Sequence, residues 1–383
     1  MSYRLPFISE TKKCTFILLP IILIILLAGC KTDDSLKTEV SESANQHSKG
    51  LNELTSIPIG GAISINKVLA DEKLKEITIN NFNSITATND MKMYSILRDS
   101  IYNFKKVDKL LAFCEENNKR LFGHTLLWHH GLPEWIKKEA AKNGSNSVDQ
   151  FMKDYITKVV SRYKGKVPAW DVVNEGFESS GGAYRETFWY KHLGKAYIEK
   201  AFRYAHAADP KAMLFYNDFN IERDTAKLNG VLQMIDELKR KGVPIHGLGF
   251  QMHLRIDIPD EVIASSLKKA AATGLKIHIS ELDIIFNNHN DGQDGGKQQY
   301  AILTEEMKNQ QAEKYKKLVI MYRKYIPAAQ QFGITFWDFN DRDTWIRPFF
   351  KIMDWPTIYD ENLDPKPAYH GFAEGLQSKI PES

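Results

Sequence analysis

From residue 57 onward, short apolar runs alternate with longer amphipathic ones, and this alternation restricts the fold more than any other feature of the chain. The runs at 57–63, 82–86, 120–125, 169–173, 212–216, 247–251, 276–280 and 334–337 are brief and rich in Ile, Val, Phe and Trp, as buried strands are. Helical spacing of apolar residues lies between them, over 107–117, 148–163, 195–208, 227–241, 262–273 and 312–325. A strand followed by a helix returns to pair in parallel with the next strand, because parallel neighbours need a crossover. Eight such units in one stretch predict an α/β fold, a (β/α)8 TIM barrel with insertions forming a single catalytic domain over 51–383. A doubly wound parallel sheet is the alternative. Residues 287–299, rich in Asn, Asp and Gly with His289 and Asp291 among them, follow the seventh strand. They are expected to form a flexible loop, either a plain surface insertion or a cover for a nearby cleft.

The N-terminus reads as an address. Lys12 and Lys13 precede an apolar run that ends in Leu27-Ala28-Gly29-Cys30. A charged start, a short apolar stretch and small residues before a cleavage point make a signal peptide over 1–29, too short for a membrane-spanning helix. The ending resembles a bacterial lipobox, which implies acylation of Cys30 and a membrane partner through the lipid anchor. A plain signal peptide or an uncut anchor is the alternative. Lys31-Thr32-Asp33-Asp34 resembles an acidic surface-export signal, or is simply solvated linker. Residues 30–50 hold few large apolar side chains and read as a tether. The expected localisation is secreted and lipid-anchored, at a bacterial outer membrane or cell surface. With Cys14 in the signal segment and Cys30 at its cleavage point, Cys114 stands alone in the body and is expected to be a buried apolar residue.

Charge narrows the function. The chain has 51 Lys and Arg against 48 Asp and Glu, a formal +3, and cleavage before Cys30 leaves it nearer neutrality. Nucleic acid as a partner normally shows as a basic excess, so none is expected. No Cys/His spacing suits a metal, and no cofactor is expected. A neutral sugar polymer asks instead for aromatic platforms and polar side chains that bond hydroxyls.

The polar residues fall where a barrel gathers them. Strand three runs into Gly123-His124-Thr125-Leu126-Leu127-Trp128-His129 and strand four ends in Trp170-Asp171-Val172-Val173-Asn174-Glu175. Strands five to eight end in Tyr216-Asn217-Asp218, Gln251-Met252-His253, Ile279-Ser280-Glu281-Leu282-Asp283 and Trp337-Asp338. All such ends meet on one face of a (β/α)8 barrel, where active sites lie. Exposure alone explains one or two polar ends, not six that combine aromatics with carboxylates. Glu175 and Glu281, at the ends of strands four and seven, face each other across such a barrel. Glycosidic hydrolysis needs such a pair, roughly 5–5.5 Å apart when configuration is retained. Two carboxylates that close cannot both ionise easily, so one is expected to have a raised pKa and to serve as the acid.

These motifs, in this order, resemble those of glycoside hydrolase family 10, the retaining endo-β-1,4-xylanases. The resemblance spans about residues 57–375, and Val-Val-Asn-Glu and Ser-Glu-Leu-Asp are its most specific parts. It implies a xylan or xylo-oligosaccharide substrate, with Glu175 as acid/base and Glu281 as nucleophile. It implies that Asn174 bonds the 2-hydroxyl of the sugar in subsite −1. His253, supported by Asp283, would orient Glu281 and keep it ionised, and Asp171 joins this support. Gln251 and Asn217 would line the cleft. His124, Trp128, Asn89 and Lys92 would bind sugars on the non-reducing side, with Trp337 and Trp345 as aromatic walls. Trp170 and Trp189 are read as core.

Two positions depart from the family pattern. The family usually has Glu-Asn-x-Met-Lys-Trp after strand two, and here the chain reads Thr88-Asn89-Asp90-Met91-Lys92-Met93. The family often has Trp-His-x-Gln after strand three, and here Gly131 ends Trp128-His129-His130-Gly131. Both missing side chains would grip the sugar in subsite −2, so that subsite is expected to be roomier and to accept a decorated or different sugar. The rival readings are a related β-glycanase acting on glucan or mannan, a non-catalytic surface glycan-binding lipoprotein, and a purely structural anchor protein. No oligomerisation signal stands out, and a monomer is expected.

Overall fold

The computed structural model describes residues 49–380, except 99, 291 and 292. The signal segment, Cys30 and the tether up to residue 48 lie outside the described residues. The folded body is already anchored at its start, where the Leu51 amide donates to Asn81 Oδ1 at 3.2 Å and the Leu51 side chain is buried.

The alternation of strand and helix closes into a barrel. We number its strands β1 (Ile59–Ile63), β2 (Ser84–Ala87), β3 (Arg120–Gly123), β4 (Ala169–Asn174), β5 (Met213–Asp218), β6 (Gly247–Phe250), β7 (Lys276–Ile285) and β8 (Gln331–Trp337). Each pairs in parallel with the next, and β8 pairs with both β7 and β1, so no edge of the barrel is left open. The doubly wound alternative is thereby excluded. Helices lie between the strands, several of them started by a side-chain cap: Asp71, Asp224 and Thr304 accept from the Leu74, Lys227 and Met307 amides. One end of the barrel interior is filled by Phe122, Phe215 and Phe332, with His278 among their rings and its Nε2 2.9 Å from Thr335 Oγ1.

Three details differ from the sequence expectation. The helix expected over 148–163 spans Glu134–Arg162, broken at Gly144 (φ 66°, ψ −162°). Strand β7 continues to Ile285 because its far half gains new partners. His253–Arg255 pairs beside it in parallel, and the Ile284 amide donates to Pro356 O at 3.0 Å. The segment expected as a loop holds an antiparallel pair, Asn288–Asn290 with Gln293–Lys297. Asn287 fixes its base, donating to Met353 O at 2.7 Å and accepting from the Gln299 and Tyr300 amides. Asp291 lies outside the described residues. Trp170, Trp189 and Cys114 are buried, and burial pushes the Cys114 thiol up to about 12, which leaves it unreactive.

Candidate active site

The strand ladder does not stop at the barrel rim. The Glu175 amide donates to Asn217 O at 2.9 Å, Gln251 to Asp218 O at 3.0 Å and Glu281 to Gln251 O at 3.0 Å. Backbone bonds thus carry the C-terminal ends of β4 to β7 together before any side chain acts. They open into one cleft of about 970 Å³ that both Glu175 and Glu281 line.

An amide network joins the two carboxylates. Asn217 Nδ2 donates to Glu281 Oε1 at 2.8 Å and to Asn174 Oδ1 at 2.9 Å. Gln251 Nε2 donates to the same Asn174 oxygen and to Glu175 Oε1, both at 3.1 Å. Asn174 returns an N–H to Glu175 Oε1 at 3.2 Å. Ser280 Oγ donates to Asn217 Oδ1 at 2.7 Å, and the way that amide is turned follows from its Nδ2 facing the acceptor-only carboxylate of Glu281. Asn217 was expected to line the cleft; it is fully buried behind it and reaches it through Glu281. The room for it comes from Gly249, paired with it across β5 and β6: a Cβ at 249 would stand 2.2 Å from Asn217 Oδ1.

The two glutamates have different cationic neighbours. His253 Nδ1 is 2.8 Å from Asp283 Oδ2 and its Nε2 is 3.5 Å from Glu281 Oε2. Burial opposes charge on this imidazole, but Asp283 and Glu281 outweigh it and raise His253 to about 10. An imidazolium therefore faces Glu281 throughout the neutral range. Burial drives the Glu281 carboxyl up, while His124, His253 and Lys92 drive it down further, so its pKa lies below the ordinary carboxylate value. Trp345 Nε1 donates to the same Asp283 oxygen at 2.9 Å, with its ring 4.9 Å from that of His253.

Glu175 faces His129, whose Nδ1 lies 3.6 Å from Glu175 Oε2, beyond a good hydrogen bond. Burial drives Glu175 up, and a charged His129 with the N–H of Gln251 drives it down further, so its net shift is downward. The expected rise in one of the two carboxyls is therefore not found as a net shift. Yet the pull on Glu175 depends on a charge that His129 carries only in acid, because burial pushes the imidazole down to about 4. Above that pH His129 is neutral, which leaves burial and the negative Glu281 opposed only by the N–H groups of Trp128 and Gln251. Glu175 itself has a positive φ of 58°, and the Gly176 amide behind it donates to Tyr216 OH at 2.9 Å.

The structure brings the other expected residues to the same cleft. His124 lines it, with Nδ1 2.8 Å from the buried Asp171 Oδ2 and its ring 5.1 Å from that of Trp337. Lys92 Nζ lies between Trp128 and Trp337, 4.7 and 5.1 Å from their ring centroids, and 3.4 Å from Asn89 Oδ1. Phe349 and Phe350 line the wall beside Trp345, and Phe350 also packs with Ile346 and Ile352 under the rim.

The space beside Gly131 is not empty. Gly131 has φ 72°, and a Cβ there would stand 2.2 Å from Tyr94 Cδ1. The Tyr94 ring fills the space of the missing side chain, and its hydroxyl donates to Asn89 Oδ1 at 2.6 Å. The sequence reading left Tyr94, His129, Ser280 and Arg185 without a role. His129 and Ser280 stood inside quoted motifs; for Tyr94 and Arg185, a cleft-lining side chain that holds Glu175 O at 3.3 Å, no local signal existed. Among the described residues no group of three or more His, Cys, Asp or Glu is placed to hold a metal ion.

The glycosyl hydrolase family 10 model matches residues 49–375, nearly all of the described body. The chain belongs to glycosyl hydrolase family 10. Within that family it is 36% identical over 353 residues to endo-1,4-β-xylanase A of Cellvibrio japonicus, covering 86% of this chain and 57% of that protein. It thus spans little more than half the length of that relative. It is 38% identical over 313 residues to endo-1,4-β-xylanase B of Thermotoga neapolitana, covering 81% of this chain and 85% of that one. Xylanase 10B of Thermotoga petrophila, solved in complex with xylobiose, superposes with a TM-score of 0.75 at 37% identity, over 86% of this chain and 98% of that one. A family-10 chain is a glycoside hydrolase, and the barrel and paired carboxylates suit that class.

Proposed function

We propose that this chain is a retaining endo-β-1,4-xylanase in which Glu281 is the nucleophile and Glu175 the acid/base. The observation that carries the assignment is the asymmetry between the two cleft carboxylates. Glu281 receives an N–H from Asn217 and faces the His253 imidazolium, so it is anionic and aimed to attack. Glu175 faces an imidazole that is neutral above about pH 4, so it can carry a proton. A Glu281 oxygen attacks the anomeric carbon while the glycosidic C–O bond breaks and Glu175 gives its proton to the leaving oxygen. Water then attacks the same carbon, Glu175 takes its proton, and the Glu281 ester is released. Two inversions leave the β configuration unchanged.

The relatives named above are xylanases, and that supports xylan over glucan or mannan. Reducing-sugar release from the three polymers in parallel, with NMR of the first anomer formed, tests the reading. Xylan is expected to be cut with the β anomer appearing first. Preferential release from glucan or mannan, or a first α anomer, sinks it. The non-catalytic binder is disfavoured by the intact carboxylate pair and its hydrogen-bonded setting, which capture of a glycan does not need.

We further infer that the protein is exported and anchored by acylation at Cys30. Leu27-Ala28-Gly29-Cys30 after an apolar run and the polar stretch that follows support this. Acyl chains contribute about 0.8 kcal/mol per buried CH₂, enough for stable anchoring when more than one chain is attached. Cys30→Ser is expected to move the protein from the membrane fraction to the soluble one and to abolish labelling by a fatty-acid probe. Unchanged fractionation and labelling exclude the anchor.

A further inference from the structure

Asp338 follows Trp337 at the end of β8, lines the catalytic cleft and has a positive φ of 50°. A side chain other than glycine is strained in that conformation, and aspartate tolerates it chiefly when its carboxylate bonds the local backbone. Asp338 makes no such bond: among the described residues its carboxylate has no hydrogen bond and no ion pair. The nearby cations are engaged elsewhere. Lys67 holds Asp343 at 2.7 Å, Lys106 holds Asp90 at 3.1 Å, and Lys92 sits between two indole rings. Although the side chain still meets the open cleft, the surrounding protein excludes enough water to push its carboxyl up to about 7. Lys67 and Lys92 offset the lost solvation only in part, and no hydrogen bond among the described residues offsets the rest.

The location explains what does. Strand β1 lies between β8 and β2, with Ala62 beside Trp337 on one side and Ile63 beside Ala87 on the other. Asp338 and Thr88 therefore flank the same strand end and line the same cleft. Thr88 has its amide and hydroxyl both directed to Ile63 O, at 3.1 and 3.4 Å. The family pattern puts a glutamate at 88.

We propose that Asp338 is the specificity-determining carboxylate of subsite −2, accepting hydrogen bonds from a vicinal pair of sugar hydroxyls in place of the glutamate absent from position 88. This rests on the xylanase reading above. A carboxylate accepts two O–H donors at once, and a pyranose offers them on adjacent carbons. The strain at 338 is then retained because it aims the carboxylate where β2 no longer supplies one.

The test is Asp338→Gly, which relieves the positive φ and so is expected to fold with an unchanged or higher Tm. The readout is the ratio of kcat/KM on an aryl β-xylobioside, which fills −2 and −1, to that on the matching aryl β-xyloside, which fills −1 alone. The leaving group is identical, so the ratio isolates −2. It is expected to fall about 10- to 100-fold, the weight of hydrogen bonds to a charged group. Adding Thr88→Glu to Asp338→Gly is expected to recover part of the loss. A ratio within twofold of wild type overturns the proposal, whether both activities hold or both fall together, since a merely structural role moves them equally. A wild-type protein inactive on xylan and on both glycosides overturns the xylanase reading and this inference with it.

Discussion

Glu281→Ala is expected to lower kcat on xylan by ~10⁵-fold or more, the scale set by the effective molarity of a positioned nucleophile. Binding of xylo-oligosaccharides should persist, because the side chain removed acts on the anomeric carbon and not on the distant sugars. The fold should persist too. The change removes a carboxylate facing an imidazolium, but His253 keeps Asp283 at 2.8 Å and so keeps a partner for its charge. Asn217 likewise keeps Asn174 Oδ1 at 2.9 Å. The decisive readout is chemical rescue with azide on an activated aryl xyloside. Azide replaces the missing nucleophile from the same side, so a single inversion should give the α-glycosyl azide. A β-azide, or a variant within tenfold of wild type, removes Glu281 from the role assigned to it.

How much of this was legible in the sequence follows from how local each signal is. The eight strands were readable because a buried parallel strand writes its own pattern, as 247–251 and 276–280 do, and six helical connections could be read from what lay between. The second half of β7 was not readable, since Leu282–Ile285 is held by His253–Arg255 and by Pro356, partners remote in the chain. The first half of the helix Glu134–Arg162 was missed for a different reason. Residues 137–147 carry mostly Lys, Ala, Asn, Ser and Gly, with no apolar stripe to announce a helix. The hairpin after β7 was read as a loop from its Asn and Gly content. Its base is set by one buried side chain, Asn287, whose partners at 299, 300 and 353 no local pattern reveals.

At the site, the sequence placed the glutamates, His253 and the tryptophans on one rim, and the structure puts them there. What it could not give was the relation between groups. Asn217 looks like a cleft residue in the sequence and is a buried bridge in the fold, because Gly249 on the neighbouring strand leaves the room for it. Gly131 reads as a hole, and is instead the space Tyr94 occupies. His129 is one of three imidazoles between residues 124 and 130; burial opposes charge on it as on His253, and the difference is that His253 has Asp283 bonded to it to outweigh burial. Residue type is written in the chain, whereas the charge state of a histidine is written by what packs around it.

Glu175→Ala is expected to show a loss that depends on the leaving group, and this dependence separates its role from that of Glu281. On xylan, whose leaving oxygen is a poor one, the missing proton donor should lower kcat/KM by about 10²- to 10⁴-fold. On an aryl glycoside that departs without protonation, formation of the glycosyl-enzyme should be nearly normal. Its hydrolysis should be slow, because no base activates water. The ester on Glu281 then accumulates, which a burst of released phenol measures. Azide should restore turnover here as well, but by attacking the covalent intermediate, so the second inversion gives the β-glycosyl azide. The pH profile carries the same information. In the wild-type enzyme the alkaline limb of kcat/KM is expected to report loss of the proton from Glu175, a proton that burial and Glu281 favour against the N–H groups of Trp128 and Gln251. The variant should lack that limb on activated substrates. A loss equal for xylan and for the activated glycoside, with the alkaline limb intact, means the proton comes from another group, and His129 at 3.6 Å from Glu175 Oε2 is then the first side chain to replace.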